Sequence, residues 1–187
     1  MTSLASRELQ QAAQGIQLAV FDVDGVLTDG RLVLGPAGEE YKQFHVRDGH
    51  GLVMLRESGI ALAIISGRES TVVGHRMKEL GMRYVFQGRR DKLAALEELC
   101  NASGIAPAHI CYVGDDLPDI PVLRVVGLPI AVADAHPAVI AVARYCTQAA
   151  GGLGAAREVA ELIMQAQGTL AAASPEVTQL PPAYKPR

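Results

Sequence analysis

Five short apolar runs, "IQLAVF" (16–21), "IALAIIS" (60–66), "YVF" (84–86), "ICYVG" (110–114) and "PIAVA" (129–133), alternate with stretches long enough for helices, and this alternation leaves few folds open. Runs of that length between polar or glycine boundaries read as buried strands, and the segments around 49–58, 69–80, 91–103, 118–125, 137–143 and 153–167 read as helices. Strands joined through helices run parallel, cross over with right-handed connections and are covered on both faces, so the predicted fold is an α/β three-layer sandwich with a Rossmann-like parallel sheet. A short amphipathic helix is expected within 2–14. The alternation breaks once: "RLVLGPAGEEYKQFHV" (31–46) has two extended halves around "GPAG" and reads as an inserted β-hairpin, with no cap domain evident. One domain is expected over 1–168. The rest, "TLAAASPEVTQLPPAYKPR" (169–187), has four prolines and no period, and is expected to be a mobile tail.

Composition narrows the function classes. The chain has 187 residues, 49% hydrophobic and 20% charged, enough for one substantial core. Aromatic residues make up only 4%, so that core must be built from Ala, Val, Leu and Ile. A formal charge of −3 offers no general attraction to nucleic acid or an anionic membrane. The cysteines, Cys100, Cys111 and Cys146, are odd in number and lack CxxC spacing, which argues against a disulfide framework or structural zinc; they read as buried thiols. No apolar stretch approaches the ~20 residues of a membrane span, and residues 1–15 are not signal-like, so the cytoplasm is the expected compartment.

Carboxylates crowd the end of the first strand in "AVFDVDGVLTDG" (19–30), where Asp22, Asp24 and Asp29 follow the apolar run. In extended backbone, positions i and i+2 share a face, so Asp22 and Asp24 can point together while Val23 turns to the core. "GDD" (114–116) ends another strand. Ligands of open parallel sheets bind at the carboxyl ends of the strands, so Asp22, Asp24, Ser66, Gly67 and Asp115 are expected to converge. Oxygen donors from distant chain positions suit Mg²⁺, which would relieve their repulsion and offset the charge of an incoming phosphate.

"DVDGVLTDG", "IISGR", a "DK" before a helix and "VGDDLPD", in that order, resemble the haloacid dehalogenase-like phosphatases; together they are specific where each alone is weak. With the hairpin insertion, "HVRDGHG", "VADAHP" and "GGLGAAREVAELIMQAQG", the chain looks like the branch acting on 3-deoxy-D-manno-octulosonate 8-phosphate, on the route to lipopolysaccharide. The resemblance spans roughly 16–168. It implies an Mg²⁺-dependent phosphomonoesterase in which Asp22 is the nucleophile that becomes an aspartyl-phosphate. Asp24 is the acid for the leaving oxygen and then the base for water. Asp22, the Asp24 backbone carbonyl and Asp115 hold the metal; Ser66 and Lys92 hold the phosphoryl group, and Asp119 orients the assembly. His45, Val46, Arg47, Asp48, Gly49, Arg68 and Arg76 bind the acidic sugar phosphate, Arg157 adds positive charge near a site, and a homotetramer brings hairpins over adjacent sites.

Plainer readings stand beside these. Ser66 could cap a helix, Lys92 could be solvated, Arg76 could be a surface residue, and His45 could be a strand residue with a satisfied ring. The remaining histidines, His50, His75, His109 and His136, read as surface or loop residues. "GGLGAAR" (151–157) lacks the context of a nucleotide loop and reads as a hinge into the last helix. "PDIPVL" (118–123) reads as architecture, with proline at a helix start. Val53 and His45 depart from the family pattern, which keeps a sialic-acid-type 9-phosphate open as substrate. Outside catalysis, a phosphate-accepting signalling module or a silent binding partner are the rival classes.

Overall fold

Every residue of Leu18–Phe21 (β1) is apolar and buried, as a strand must be when helices cover both sides of its sheet. The structure, a computed structural model, describes residues 4–173, with side chains from residue 7 to residue 172. Val33–Leu34 (β2) and Glu40–Tyr41 (β3) form an antiparallel ribbon of their own, the expected hairpin. Ala61–Ile65 (β4), Tyr84–Phe86 (β5), Ile110–Gly114 (β6), Leu128–Ala131 (β7) and Tyr145–Cys146 (β8) join β1 in one parallel sheet, ordered β5-β4-β1-β6-β7-β8. From β1 the chain builds outward through β4 and β5, then returns to the other flank of β1 as β6. β1 therefore lies where the strand order reverses, the place where such sheets open a ligand crevice.

Leu4–Gln14 (α1), Val46–Glu57 (α2) and Ala155–Gln167 (α7) pack together as one helical layer; Lys92–Ser103 (α4), Ile120–Leu123 (α5) and Pro137–Ile140 (α6) form another, and Thr71–Glu79 (α3) links β4 to β5. One apolar cluster joins sheet and helices, dominated by Ala, Val, Leu and Ile as composition required. Among the described residues, nothing larger than the hairpin separates β1 from α2.

Some expectations are corrected. α2 starts at Val46 rather than near 49, because His45 caps it, its Nδ1 accepting from the Arg47 N–H at 3.2 Å. Gly49 and Gly51 obscured this helix in the sequence. At Gly51 a Cβ would lie 2.9 Å from the Arg157 Cα, a backbone approach that leaves no room for a side chain, while at Gly49 the Arg76 guanidinium occupies the space a Cβ would take. The helix expected at 118–125 splits into a 3₁₀ turn, Leu117–Asp119, and α5, with Pro118 in the turn. β8 and a short helix at Leu170–Ala173 (α8) gave no sequence signal, being too short to display a period. The remainder of the expected tail, from 174 on, lies outside the described residues. Of the thiols only Cys111 is buried; Cys100 is half-buried and Cys146 is exposed on the edge strand, which no further strand covers among the described residues.

The segment expected to be a hinge is a clamp. Gly151 N–H donates to Asp134 Oδ1 at 2.9 Å and Gly152 N–H to the Val26 carbonyl at 2.9 Å. A Cβ on Gly151 would stand 1.7 Å from the Gly25 carbonyl oxygen, so the two backbones touch with no room for a side chain. Gly151→Ala is expected to push the 22–30 loop away and cost roughly 1–3 kcal/mol of stability, the usual range for overpacking. A thermal melt checks the loss.

Candidate active site

Register brings the acidic residues together. Phe21 pairs with Ile64 on one side and Val113 on the other, so the residues that follow these three strands emerge side by side. The Asp22 N–H continues the ladder onto the Val113 carbonyl at 3.0 Å, and Ser66 N–H bonds to the Phe86 carbonyl at 2.9 Å. Immediately after Asp22 the chain curls back: Thr28, buried, donates to the Val23 carbonyl and accepts from the Gly25 and Gly30 N–H groups. Gly25, at φ +90°, leaves space for Asp115, whose Oδ2 would be 2.1 Å from any Cβ there.

The result is a cleft of about 460 Å³ at the strand ends, lined among others by Asp22, Asp24, Ser66, Arg68, Lys92 and Asp115. Lys92, first residue of α4, is turned inward and buried. Its Nζ lies 2.9 Å from Asp22 Oδ2 and donates to Asp119 Oδ1 at 2.7 Å, so the solvated reading of this lysine does not hold. Asp119 is 0% exposed and fully engaged: Oδ1 also accepts from Tyr112 OH at 2.6 Å, and Oδ2 accepts from the Asp115 and Asp116 N–H groups at 3.0 and 3.2 Å. Four donors fill the lone-pair directions of one carboxylate. Ser66 caps no helix, since Ser70 holds the N-cap position of α3. It sits buried in the cleft wall, its Oγ accepting from the Arg68 N–H at 3.3 Å.

Burial and crowding set the electrostatics. Burial is the largest cause that pushes Asp22 from 3.8 up to about 6; the nearby charge of Asp119 adds to it and Lys92 opposes it. Asp115 rises further, to about 8, through burial first and then the charges of Asp22 and Asp119. For Lys92, burial works against the charged form but is outweighed by Asp22 and Asp119, and its titration moves above the usual lysine range.

Comparisons with known proteins cover most of the chain. Residues 84–157 match the family model described as haloacid dehalogenase-like hydrolase. The chain is 48% identical, over 88% of its own length and 88% of the relative's, to a 3-deoxy-D-manno-octulosonate 8-phosphate phosphatase of Escherichia coli K12. The chain belongs to the haloacid dehalogenase-like hydrolases. The Moraxella catarrhalis 3-deoxy-D-manno-octulosonate 8-phosphate phosphatase, solved in complex with a magnesium ion, a phosphate ion and a KDO molecule, superposes with a TM-score of 0.87 at 46% identity, covering 89% of this chain and 95% of that one. The cobalt-bound Haemophilus influenzae deoxy-D-mannose-octulosonate 8-phosphate phosphatase matches at 37% identity and TM-score 0.85, covering 91% and 100%.

A divalent cation fits the residues present. Carboxylate oxygens of Asp22, Asp115 and Asp119 lie within 4.8 Å of one another, and Asp115 Oδ1 is buried with no hydrogen-bond partner. Asp119 is spent on its four donors, which leaves Asp22 and Asp115 as the pair with oxygen to offer. An orphaned oxygen on Asp115 close to the Asp22 carboxylate is what a hard metal ion satisfies.

Other sequence-predicted residues fall elsewhere. Asp29 is outside the cleft and bonds the Arg31 N–H at 3.1 Å. His45, Asp48, Gly49 and Arg76 gather at the start of α2 around a separate crevice of about 10 Å³, too small for a sugar. Asp48 is buried, accepting from the Gly154 and Arg157 N–H groups at 3.1 and 2.8 Å, and so ties α2 to the start of α7 rather than facing the cleft. Val46 and Arg47 are exposed on the outer surface. Arg76 donates to Glu79, and Arg157 to Glu161. His109 and His136 serve the fold: a His109 ring nitrogen is 2.8 Å from the Gly15 carbonyl, and His136 Nδ1 accepts from the Ala138 N–H. Val53 packs, partly buried, against the core.

Sequence reasoning missed Pro118 and Arg90 in the cleft wall and Glu40 and Lys42 beside it. "RRDK" (89–92) held a signal for Arg90, a cation two residues before Lys92; the hairpin residues had none.

Because Asp22 and Asp115 bind protons more tightly folded than unfolded, the metal-free protein keeps their contribution to stability below about pH 4 and loses it as pH rises through 6 and then 8. Melting in chelator is expected to give a Tm that falls across this range, and added Mg²⁺ is expected to raise Tm more at pH 8.5 than at pH 5.5, because the ion competes with protons for the same oxygens.

Proposed function

We propose that this enzyme removes the phosphate of 3-deoxy-D-manno-octulosonate 8-phosphate, giving the free sugar acid and inorganic phosphate. The supporting observation is the buried Asp22–Lys92 pair in a cleft shared with Asp24 and Ser66, in a chain 48% identical to phosphatases of that substrate. Asp22 attacks phosphorus, the bond from phosphorus to the sugar oxygen breaks, and Asp24 gives that oxygen its proton. Asp24 then takes a proton from water, whose oxygen attacks phosphorus and returns Asp22 to its carboxylate as phosphate leaves. Ser66 donates its hydroxyl to the transferring group, and Lys92 balances the charge gathering there while keeping Asp22 aimed. Mg²⁺, held by Asp22, Asp115 and the Asp24 backbone carbonyl, supplies positive charge against the phosphoryl oxygens. A receiver-like module needs only an acceptor; a second acid two residues after Asp22 suits turnover.

The sugar acid brings a second negative group. Of the cations lining the cleft, Lys92 is held by Asp22 and Asp119 and Arg68 by Glu40 and Asp24, whereas Arg90 has no carboxylate partner among the described residues. Arg90 is therefore our candidate for the sugar carboxylate. His45, Val46, Arg47, Gly49 and Arg76 would meet the sugar only through assembly. Leu32, Val33, Leu34 and Tyr41 leave an exposed apolar hairpin, which supports a homotetramer joined there. Three free cysteines fit a reducing cytoplasm, and no helix among the described residues is long and apolar enough to cross a membrane.

Phosphate release across a panel of sugar acid phosphates tests the reading: kcat/KM is expected to be highest for the octulosonate, and higher values for a nonulosonate 9-phosphate would move the assignment. Asp22→Asn is expected to reduce turnover to background. Arg90→Ala is expected to raise KM about tenfold or more for the sugar acid phosphate, the scale of a lost charged hydrogen bond, with little change for a neutral sugar phosphate. Paired Leu32→Asp and Leu34→Asp changes are expected to lower the mass measured by sedimentation.

A further inference from the structure

Lys42 lies on a hairpin whose apolar residues face outward, yet its own side chain is 1% exposed. Its Nζ forms an ion pair with Asp24 Oδ1 and stands 3.3 Å from Glu40 Oε1. Glu40 Oε1 also accepts from Arg68 Nη2 at 3.0 Å, and Arg68 Nε is 3.7 Å from Asp24 Oδ2. The four charges close a ring in which each oxygen of Asp24 has its own cation. A hairpin lysine left in water would be no less stable for it, since exposed ion pairs contribute ~0–1 kcal/mol. Burying an ammonium is unfavourable unless carboxylates neutralise it, and here two of them do.

We propose that Lys42 is a positioning residue for Asp24: it fixes that carboxylate toward the leaving-group side of the cleft, and Glu40 keeps Lys42 in place. The inference rests on Asp24 being the group that protonates the leaving oxygen. Ser66 and Lys92 hold the phosphoryl group, so Lys42 has no part in binding it. Without Lys42, Asp24 loses the contact on one oxygen and is free to change rotamer, while the remaining cation, Arg68, draws it to one side. Misplacement of a reacting group by about 1 Å can cost about 10²-fold in rate.

The diagnostic is the leaving group. A sugar hydroxyl needs a proton as it departs, whereas p-nitrophenolate leaves without one. In a single turnover at saturating substrate, which reads the first step and not the water attack that Asp24 also serves, Lys42→Met is expected to slow release of the sugar acid about 30–100-fold with KM nearly unchanged, while release of p-nitrophenolate slows less than about threefold. Lys42→Arg is expected to recover part of the loss. Asp24→Asn is the control for the underlying reading: if single-turnover release of the leaving group does not separate the two substrates, the role of Asp24 as the acid is wrong. If Asp24→Asn separates them and Lys42→Met lowers both equally, changes neither, or raises KM alone, the positioning role is overturned. Mg²⁺-dependent Tm shifts report whether each variant folds; should Lys42→Met not fold, Glu40→Gln is expected to give the same separation to a smaller degree, and equal losses on both substrates would be decisive against it.

Discussion

A single ammonium group, Lys92 Nζ, stands between two buried carboxylates at the carboxyl end of the sheet, and the rest of the active-site architecture is arranged around that contact. Charges this deep are tolerated only when opposed and hydrogen-bonded. Asp119 meets that demand through Tyr112 and the backbone N–H groups of Asp115 and Asp116, so the same carboxylate that anchors Lys92 also fixes the turn carrying Asp115. Gly114 belongs to this arrangement, because a Cβ there would meet Asp119 Cβ at 2.6 Å. Asp22 and Asp119 are thus held close by one fixed cation, and the raised titrations of Asp22 and Asp115 mark the positive charge still wanting.

Backbone contacts add to the Thr28 hydroxyl in bracing the 22–30 loop. Gly25 lets the loop approach Asp115, and Gly151 with Gly152 press on it from behind. Asp48 extends the same support outward by tying α2 to the N-terminal turn of α7. On the opposite side the hairpin carries two roles at once. Its outer residues are apolar and exposed, while Lys42 and Glu40 reach inward to Asp24 and Arg68. The exposed apolar surface of the hairpin is in this way continuous with the side chains around Asp24, so the proposed assembly and the geometry of the cleft meet in one element.

The strands were legible because each is a short apolar run closed by a polar or glycine boundary, and the central ones emerged nearly as read. The start of α2 was not, since its glycines look like breakers until Arg76 and Arg157 are seen to occupy the space a Cβ would need. Asp22, Asp24, Ser66, Lys92 and Asp115 were readable as a group because each follows a strand or opens a helix in a motif. Lys42 and Glu40 were not: a charged hairpin residue has the same local sequence whether it points to solvent or inward. Asp48 was readable as a functional acid from its motif, yet its carboxylate is engaged by α7 more than 100 residues away.

The order of the elements other than β8 and α8, the parallel sheet, the family and the acids that follow the sheet's first and fourth strands in chain order were open to sequence alone, because hydrophobic period and motif spacing are local properties written along the chain. Which cations those acids meet, which glycines are contact points, and which charged residues are buried rather than solvated were decided only in three dimensions. Ion pairing and close approach depend on distances between residues far apart in the chain, and those distances exist only once the sheet has set its register.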